Sequence, residues 1–153
     1  MNQKYHLSVT LSGPGVSERA HWGLIIHAPG QDFGDLLHVR VIDIPSNTFQ
    51  FENRTGHGLA DQDAWGLAKV VELDYEQRMR VIAIAGKERP PTPRGGQDCQ
   101  DWVINALAGC EIEEIVPDGT VDVWIRRLGM PTERIKEEVR ADGEGLWVSL
   151  NGH

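Results

Sequence analysis

The chain has 153 residues, and 23 acidic against 15 basic side chains give it a formal net charge of -8 with histidine neutral. A chain of this length buries about two thirds of the surface that its unfolded form exposes, so it needs no metal or disulfide to fold. Its two cysteines, Cys99 and Cys110, are too few for a disulfide framework and lack the spacing of a zinc site, which indicates a reduced, intracellular protein. The acidic balance disfavours nucleic acid and anionic membranes as partners, because both carry negative charge.

The organisation of the chain is that of one domain. Met1 to Leu11 lacks the continuous apolar core of a signal peptide, and no apolar run approaches the ~18 residues that span a bilayer. We therefore expect a soluble, cytoplasmic protein that is not bound to a membrane. The domain 1–153 divides into a sheet-forming part at 4–86, a Pro/Gly-rich connector at 87–97, a helical part at 98–141 and a tail at 142–153. The connector is interpreted as a plain linker, with a mobile flap as the alternative.

Alternation of apolar and polar residues predicts strands before the connector. In chain order the predicted strands are Tyr5–Leu11, His21–His27, Leu36–Ile44, Thr48–Asn53 and Leu67–Leu73. A short helix is predicted next, with Asp74 as its N-cap, Met79 and Ile82 on one side and Gly86 closing it. The apolar run Val81–Ala85 keeps a strand open as the alternative there.

After the connector the apolar period changes to 3.6. Five residues fall on one face of a helix that begins near Asp98, an N-cap residue: Cys99, Val103, Ala106, Leu107 and Cys110. Further helices are predicted at Val121–Leu128 and from Pro131 to about Arg140, and Leu146–Leu150 is a last strand or a tail. Strands first and helices second are typical of an α+β fold, with helices packed on an antiparallel sheet.

Cys99 is the first candidate for chemistry. At the start of a helix, free N–H groups and the positive end of the dipole lower the pKa of a thiol, and the same N–H groups can hold an oxyanion. Because Cys99 shares a face with Val103 and Leu107, its side chain is expected to point toward the sheet. The alternative is a buried apolar filler, which is the usual role of a lone cysteine. Cys110 lies at the opposite end of the helix and is interpreted as structural.

Two of the six histidines lie on neighbouring predicted strands. His21 and His38 are the candidates for a Cys/His pair, with a hydrogen-bonded structural histidine as the alternative. His27 and His57 are interpreted as solvated. A metal site formed by His21, His27, His38 and Asp43 is disfavoured because no HxH or HExxH spacing is present. No phosphate-binding loop or serine nucleophile motif occurs either, so we expect neither metal nor cofactor.

Two segments resemble the circularly permuted papain-like superfamily. These are His21-Trp22-Gly23-Leu24-Ile25-Ile26 at a strand start and Asp98-Cys99-Gln100-Asp101-Trp102-Val103 at a helix start. The superfamily includes lecithin retinol acyltransferase-like enzymes and PPPDE-type and permuted NlpC/P60-type cysteine peptidases. The layout is also similar to small, largely uncharacterised fungal proteins with a His-Trp strand and a Cys-x-x-Trp-Val helix. The resemblance covers about Tyr5 to Gly109.

The resemblance implies a cysteine-dependent hydrolase or acyltransferase that acts without a cofactor on an amide, ester or thioester of a small molecule or peptide. Cys99 would be the nucleophile, His21 the base and His38 the group that orients the base. The expected substrate contacts are Trp22, Trp102, Gln97 and Asp98. The acyltransferase form Asn-Cys-Glu-His-Phe is not kept here and no C-terminal membrane anchor is expected, which disfavours phospholipid or retinol acyl transfer.

In the alternative function, the groove expected beside Cys99 binds a small molecule, and Cys99 does not act as a nucleophile. The domain would then be a non-catalytic binding module or a cofactor-free, cyclase-like catalyst, with Trp22, Trp65 and Trp102 as walls of the groove. The sequence leaves the oligomeric state open.

Overall fold

Ten elements make up the fold in the computed structural model, which describes residues 3–15, 19–92 and 98–153. The strands are β1 (Tyr5–Ser12), β2 (His21–His27), β3 (Phe33–Asp43), β4 (Thr48–Gly58), β5 (Ala64–Leu73) and β6 (Trp147–Ser149). The helices are α1 (Tyr75–Lys87), α2 (Cys99–Ile112), α3 (Thr120–Arg126) and α4 (Thr132–Asp142). The six strands pair in the order β4-β3-β2-β1-β5-β6, and every pair is antiparallel. The α+β prediction is confirmed.

Alternate residues of the central strands face the helices. Leu7, Val9 and Leu11 of β1 and Trp22, Leu24 and Ile26 of β2 are buried in the core that the sheet shares with α2. Successive strand side chains point to opposite faces, so His21 and Gly23 lie on the other face, which we call the outer face. There they are in register with Ser12 and Thr10 of β1.

Helix α1 begins as predicted but ends later. Asp74 caps it and forms a capping box with Gln77. The helix continues through Gly86 to Lys87, so the prediction that Gly86 closes it was wrong. The predicted apolar side was wrong for Met79, which is 45% exposed, whereas Ile82 packs against the core beside the buried Val81 and Ala85. The docked face of a short helix depends on the angle at which it meets the sheet, which periodicity alone does not define.

Helix α2 is capped at the predicted residue and lies deep in the fold. Asp98 is the N-cap, and its capping box is completed by Asp101. The predicted face is buried from Cys99 to Cys110, but so are side chains on other faces of the helix, because α2 packs against β2 and β3 on one side and α1 and α3 on others. The helices predicted after α2 and the last strand are present as α3, α4 and β6.

The remaining differences lie at strand ends and in the connector. Strand β3 begins at Phe33 rather than Leu36, and β5 begins at Ala64 rather than Leu67. Strand β4 continues through a polar stretch to Gly58, and the β3–β4 turn begins at Ile44 rather than after it. Residues 93–97, which include Gln97, lie outside the described residues, so the linker and the flap both stay predictions. In the described parts of the chain, no helix is long and apolar enough to cross a membrane.

Candidate active site

The thiol of Cys99 lies where the start of β2 meets the start of α2. Its Sγ accepts a hydrogen bond from the backbone N–H of Trp22 over 3.4 Å. The paired register of β2 and β3 covers only Leu24 to Ile26 on β2, so the beginning of β2 is free to make this contact. Cys99 is 7% exposed, and its side chain points toward the sheet as predicted.

Two further side chains, Arg19 and Gln100, hold these segments together. Arg19 donates to both capping carboxylates of α2, over 3.2 Å to Asp98 and 3.0 Å to Asp101. The fully buried Gln100 donates to the carbonyl of Ala20 over 2.8 Å and accepts from the N–H of Gly129 over 2.9 Å. These hydrogen bonds therefore hold the residues that flank His21 next to the residues that flank Cys99. Nothing in the sequence singled out Gln100, because its role depends on backbone groups that come from distant segments.

The surroundings of Cys99 oppose ionisation of its thiol. Burial raises the pKa of Cys99 to about 12, and the carboxylate of Asp98 raises it as well. The N–H groups of Trp22, Gln100 and Cys99 lower this pKa, but by less than burial raises it. The prediction of a lowered pKa was therefore wrong for this conformation. The N–H of Gln100 also donates to Asp98 over 2.9 Å, so it is not free to hold an oxyanion.

His21, His38 and Glu52 form a chain of hydrogen bonds across three strands. Nε2 of His38 lies 2.8 Å from Oε1 of Glu52, and Nδ1 of His38 lies 3.5 Å from Nε2 of His21. Because a carboxylate only accepts hydrogen bonds, His38 carries its proton on Nε2, and its Nδ1 then accepts from Nε2–H of His21. This tautomer leaves Nδ1 of His21 with a free lone pair.

The pKa of His21 reflects these neighbours. Desolvation by the surrounding protein and, to a smaller extent, the neighbouring His38 lower it to about 4, although Asp98 acts in the opposite direction. The residue as a whole still has solvent access at the start of β2. The imidazole is therefore neutral at pH 7 while remaining accessible to a ligand.

A cleft of about 170 Å³ opens on the outer face beside this chain. His21, His38 and His57 line it together with hydroxyl groups of β1 and charged groups of β4 and the β4–β5 turn. His57 was predicted to be solvated, which was wrong, since it is half-buried in this cleft. A register shift between β3 and β4 brings Arg54 and His57, three positions apart, to the same cleft. Strict alternation does not reveal such a shift.

The thiol of Cys99 and the imidazole of His21 lie on different sides of the start of β2. Cys99 comes from the helix layer, whereas the ring of His21 lies on the outer face. Among the described side chains, no hydrogen bond joins Sγ of Cys99 to an imidazole nitrogen; its partner is the Trp22 amide. Nδ1 of His38 lies 3.5 Å from Nε2 of His21, and Asp98 lies next to Cys99 as the α2 cap.

The tryptophans are placed differently from the prediction. Trp22 and Trp102 are fully buried in the core, where Trp22 packs edge-on against Trp124 and Trp102 packs against Phe51. They present no surface to a substrate in this conformation, so their prediction as substrate contacts or groove walls was wrong. Trp65 stacks on the ring of His153 instead. In the described parts of the chain, no group of three or more His, Cys, Asp or Glu side chains is arranged to hold a metal ion.

Comparison with known proteins identifies one family. The sequence profile of DUF6540, described as a family of unknown function, matches residues 8–117. The matched region runs from β1 through α2 and contains Cys99, the chain from His21 to Glu52 and the outer-face cleft. No curated protein and no solved structure matches the chain. Since the match covers well over half of its length, the chain belongs to the DUF6540 family.

Proposed function

We propose that the protein is a cysteine-dependent hydrolase or acyltransferase with a permuted papain-like arrangement, acting on an amide, ester or thioester of a small molecule or peptide. The contact between Sγ of Cys99 and the amide of Trp22 carries the proposal. It brings the only thiol at a helix start next to the residue that follows His21. The hydrogen bonds that join His21 to His38 and His38 to Glu52 support the role of His21 as a base.

The tautomers along this chain are those that a base requires. Glu52 accepts from His38, and His38 accepts from Nε2–H of His21. The lone pair on Nδ1 of His21 is then available to take the thiol proton, and a neutral imidazole is the protonation state in which it can act as a base. His38 and Glu52 orient the ring and stabilise the imidazolium that forms, so they are positioning residues.

The reaction begins from a neutral thiol and a neutral imidazole, because the pKa of Cys99 is about 12 and that of His21 about 4. Sγ forms a bond to the substrate carbonyl carbon as its proton moves to Nδ1 of His21. The carbonyl oxygen takes up negative charge, which the N–H group of Cys99 at the start of α2 would stabilise. His21 then returns the proton to the leaving group, and water or a second nucleophile releases the acyl group from Sγ.

A second candidate, a binding domain without catalysis, is favoured by a specific observation. The thiol is buried with a raised pKa, and the cleft opens on the opposite face of the sheet. A domain that only binds ligands in this cleft needs Cys99 as a packed side chain and not as a nucleophile.

Turnover of small acyl esters, thioesters and anilides by matched variants tests the proposal. Cys99→Ala is expected to abolish turnover with little change in melting temperature, and His21→Gln to reduce it by about 10²–10⁴-fold. Cys110→Ala, which removes the other buried thiol, is expected to retain activity. Undiminished turnover by Cys99→Ala would exclude the mechanism, and saturable ligand binding by a wild-type protein that turns over none of these substrates would favour the binding domain.

A further inference from the structure

A second cleft, of about 310 Å³, lies where β5 meets the C-terminal helices. The turn before α3, helices α3 and α4 and the residue before β6 also line it, and we call it the C-terminal cleft. It shares no lining residue with the outer-face cleft. Its volume falls at the lower end of the ~300–1,000 Å³ in which small-molecule sites are found.

The walls of the C-terminal cleft are largely apolar. Val139 belongs to the buried core, and Val70, Val123 and Leu146 pack against that core. The buried ring of Trp124 extends this apolar wall. Walls of this kind favour an alkyl group, because each CH₂ group that leaves water contributes to binding.

A buried cation lies beside the apolar wall. The side chain of Arg127, which also lines the cleft, is only 5% exposed. Its Cζ lies 4.6 Å from the centroid of the Trp124 ring. Because stacking on an aromatic ring restricts the movement of a guanidinium, the cleft presents this group in a defined position.

The hydrogen-bonding capacity of Arg127 is not filled. Its Nε donates to Glu138 and its Nη2 to Asp142, each over 3.1 Å. A guanidinium has five N–H groups, so with two in use three have no acceptor among the described residues. Each carboxylate accepts a single bond, and neither makes the bidentate contact for which a guanidinium is suited. An acceptor with two oxygens would use these donors.

Asp142 shows how a ligand carboxylate is accommodated. It is the last residue of α4, and its side chain is 61% exposed, so it can turn into solvent with little loss of energy. A carboxylate that enters from the cleft then replaces Asp142 on Arg127, and the charge around the guanidinium stays the same. This exchange matters because the net charge of -8 opposes any additional anion.

The other charged groups of the lining leave Arg127 as the anchor. The ammonium group of Lys69 lies 3.6 Å from Glu72, which is not part of the lining. Asp118 is exposed, so water and salt screen its charge.

We propose that the C-terminal cleft binds an aliphatic monocarboxylate of about the size of octanoate. Its carboxylate lies on Arg127 in place of Asp142, and its alkyl chain lies against the apolar wall. The wall supplies affinity for the chain, and the guanidinium selects a carboxylate over an alcohol or an ammonium group. This binding goes beyond the proposed function, because it involves neither Cys99 nor the outer-face cleft.

Binding is measured on the full-length wild-type protein by isothermal titration calorimetry. The probes are octanoate, octan-1-ol, octylammonium and butanoate, and the NMR signal of the Nε–H group of Arg127 locates the ligand. We expect octanoate to shift this signal saturably and to bind at least about tenfold more tightly than each other probe, a difference of about 1.4 kcal/mol. Equal affinity for octanol or octylammonium would overturn the role of the guanidinium, and equal affinity for butanoate would overturn that of the apolar wall.

Matched variants test the exchange of carboxylates. Asp142→Asn removes the internal competitor and is expected to bind octanoate severalfold more tightly than the wild type. Glu137→Gln removes the same charge from an exposed position of α4 outside the lining, and its effect is expected to stay below about twofold because the charge is screened. Arg127→Lys keeps the charge but not the paired N–H groups, so it is expected to weaken octanoate binding severalfold and to leave octanol binding unchanged.

The variant of Asp142 keeps the inference falsifiable if Arg127→Lys does not fold, since it changes an exposed side chain. Octanoate binding by Asp142→Asn that is unchanged or weaker, or an equal gain in Glu137→Gln, would overturn the inference. Octanoate binding by a protein that lacks turnover would contradict only the proposed function. Cys99-dependent turnover without octanoate binding would contradict only the assignment of the C-terminal cleft.

Discussion

The backbone N–H of Trp22 donates to Sγ of Cys99 across 77 positions of sequence. This bond joins the residue after His21 to the first residue of α2. In a fully regular sheet this amide would pair with β3, but here it donates to a thiol instead. Together with the bonds of Arg19 and Gln100, this departure from strand pairing holds the candidate site together.

Labelling of Cys99 by iodoacetamide is expected to be slow at neutral pH. Burial raises the pKa of its thiol to about 12, and only the thiolate reacts. In a Cys110→Ala background, the rate is expected to rise throughout pH 7–10 without reaching a plateau. The urea-unfolded chain provides the control, with a midpoint near the usual ~8.5. A plateau with a midpoint below 8.5 in the folded protein would contradict the prediction.

Removal of the α2 cap is expected to change both stability and thiol reactivity. Asp98→Ala deletes the capping bond to Gln100, at a cost of about 0.5–2 kcal/mol of unfolding free energy. It also removes a carboxylate that raises the pKa of Cys99, so labelling at pH 8 becomes faster. Asp74→Ala removes the matching cap of α1 and is the control: it should cost a similar amount of stability without changing the labelling rate. Equal labelling rates in the two variants would show that Asp98 does not act on the thiol.

Gln100→Leu is expected to destabilise the protein strongly. The substitution leaves the buried carbonyl of Ala20 without its partner, at about 1–3 kcal/mol, and also removes the bond to the N–H of Gly129, which is exposed and can bind water instead. Gln50→Leu on exposed β4 is the control, and its effect should stay within about 0.5 kcal/mol. Urea unfolding measures both variants. A loss below 1 kcal/mol for Gln100→Leu would mean that water or backbone movement replaces its two bonds.

Acid is expected to destabilise the fold in part through His21. Its pKa falls from 6.5 in the unfolded chain to about 4 in the fold, so between these values the unfolded state binds a proton that the native state does not. Stability therefore decreases as pH falls from 6.5 to about 4, by at most about 1.4 kcal/mol per pH unit, and by less because His21 has solvent access. Glu52, whose pKa is lowered chiefly by its bond to His38, adds a further loss below its usual pKa of 4.5. Urea midpoints of His21→Gln should show a shallower slope above pH 4.5, and parallel slopes would refute the assignment.

Elements with clear alternation and caps could be predicted closely from the sequence. The bounds of β2 and the N-caps Asp74 and Asp98 were confirmed at the residue, since the polar ends of β2 and the capping side chains act locally. The extent of β4 could not be predicted from the sequence, because an edge strand exposed to water needs no apolar alternation. The face of α1 depends on tertiary docking, which local sequence does not encode.

The candidate site shows the same division. The direction of the β2 side chains could be predicted from the sequence. Large apolar residues at the alternate positions Trp22, Leu24 and Ile26 place His21 on the face away from the helices. The raised pKa of Cys99 could not be predicted, since the local effect of a helix start is visible in the sequence whereas the depth of burial is not. The bond between His38 and Glu52 also required the pairing register of β3 and β4, in which the two residues are directly opposite.

The long sequence separations around the site have a consequence for folding. The β1–β4 meander can form from neighbouring segments, whereas the contacts of Arg19 and Trp22 with α2 close loops of 77 to 82 residues. Loop closure of this length costs entropy that only the docked core repays. Protection of Cys99 from a thiol reagent during refolding therefore marks the moment when α2 docks on the sheet.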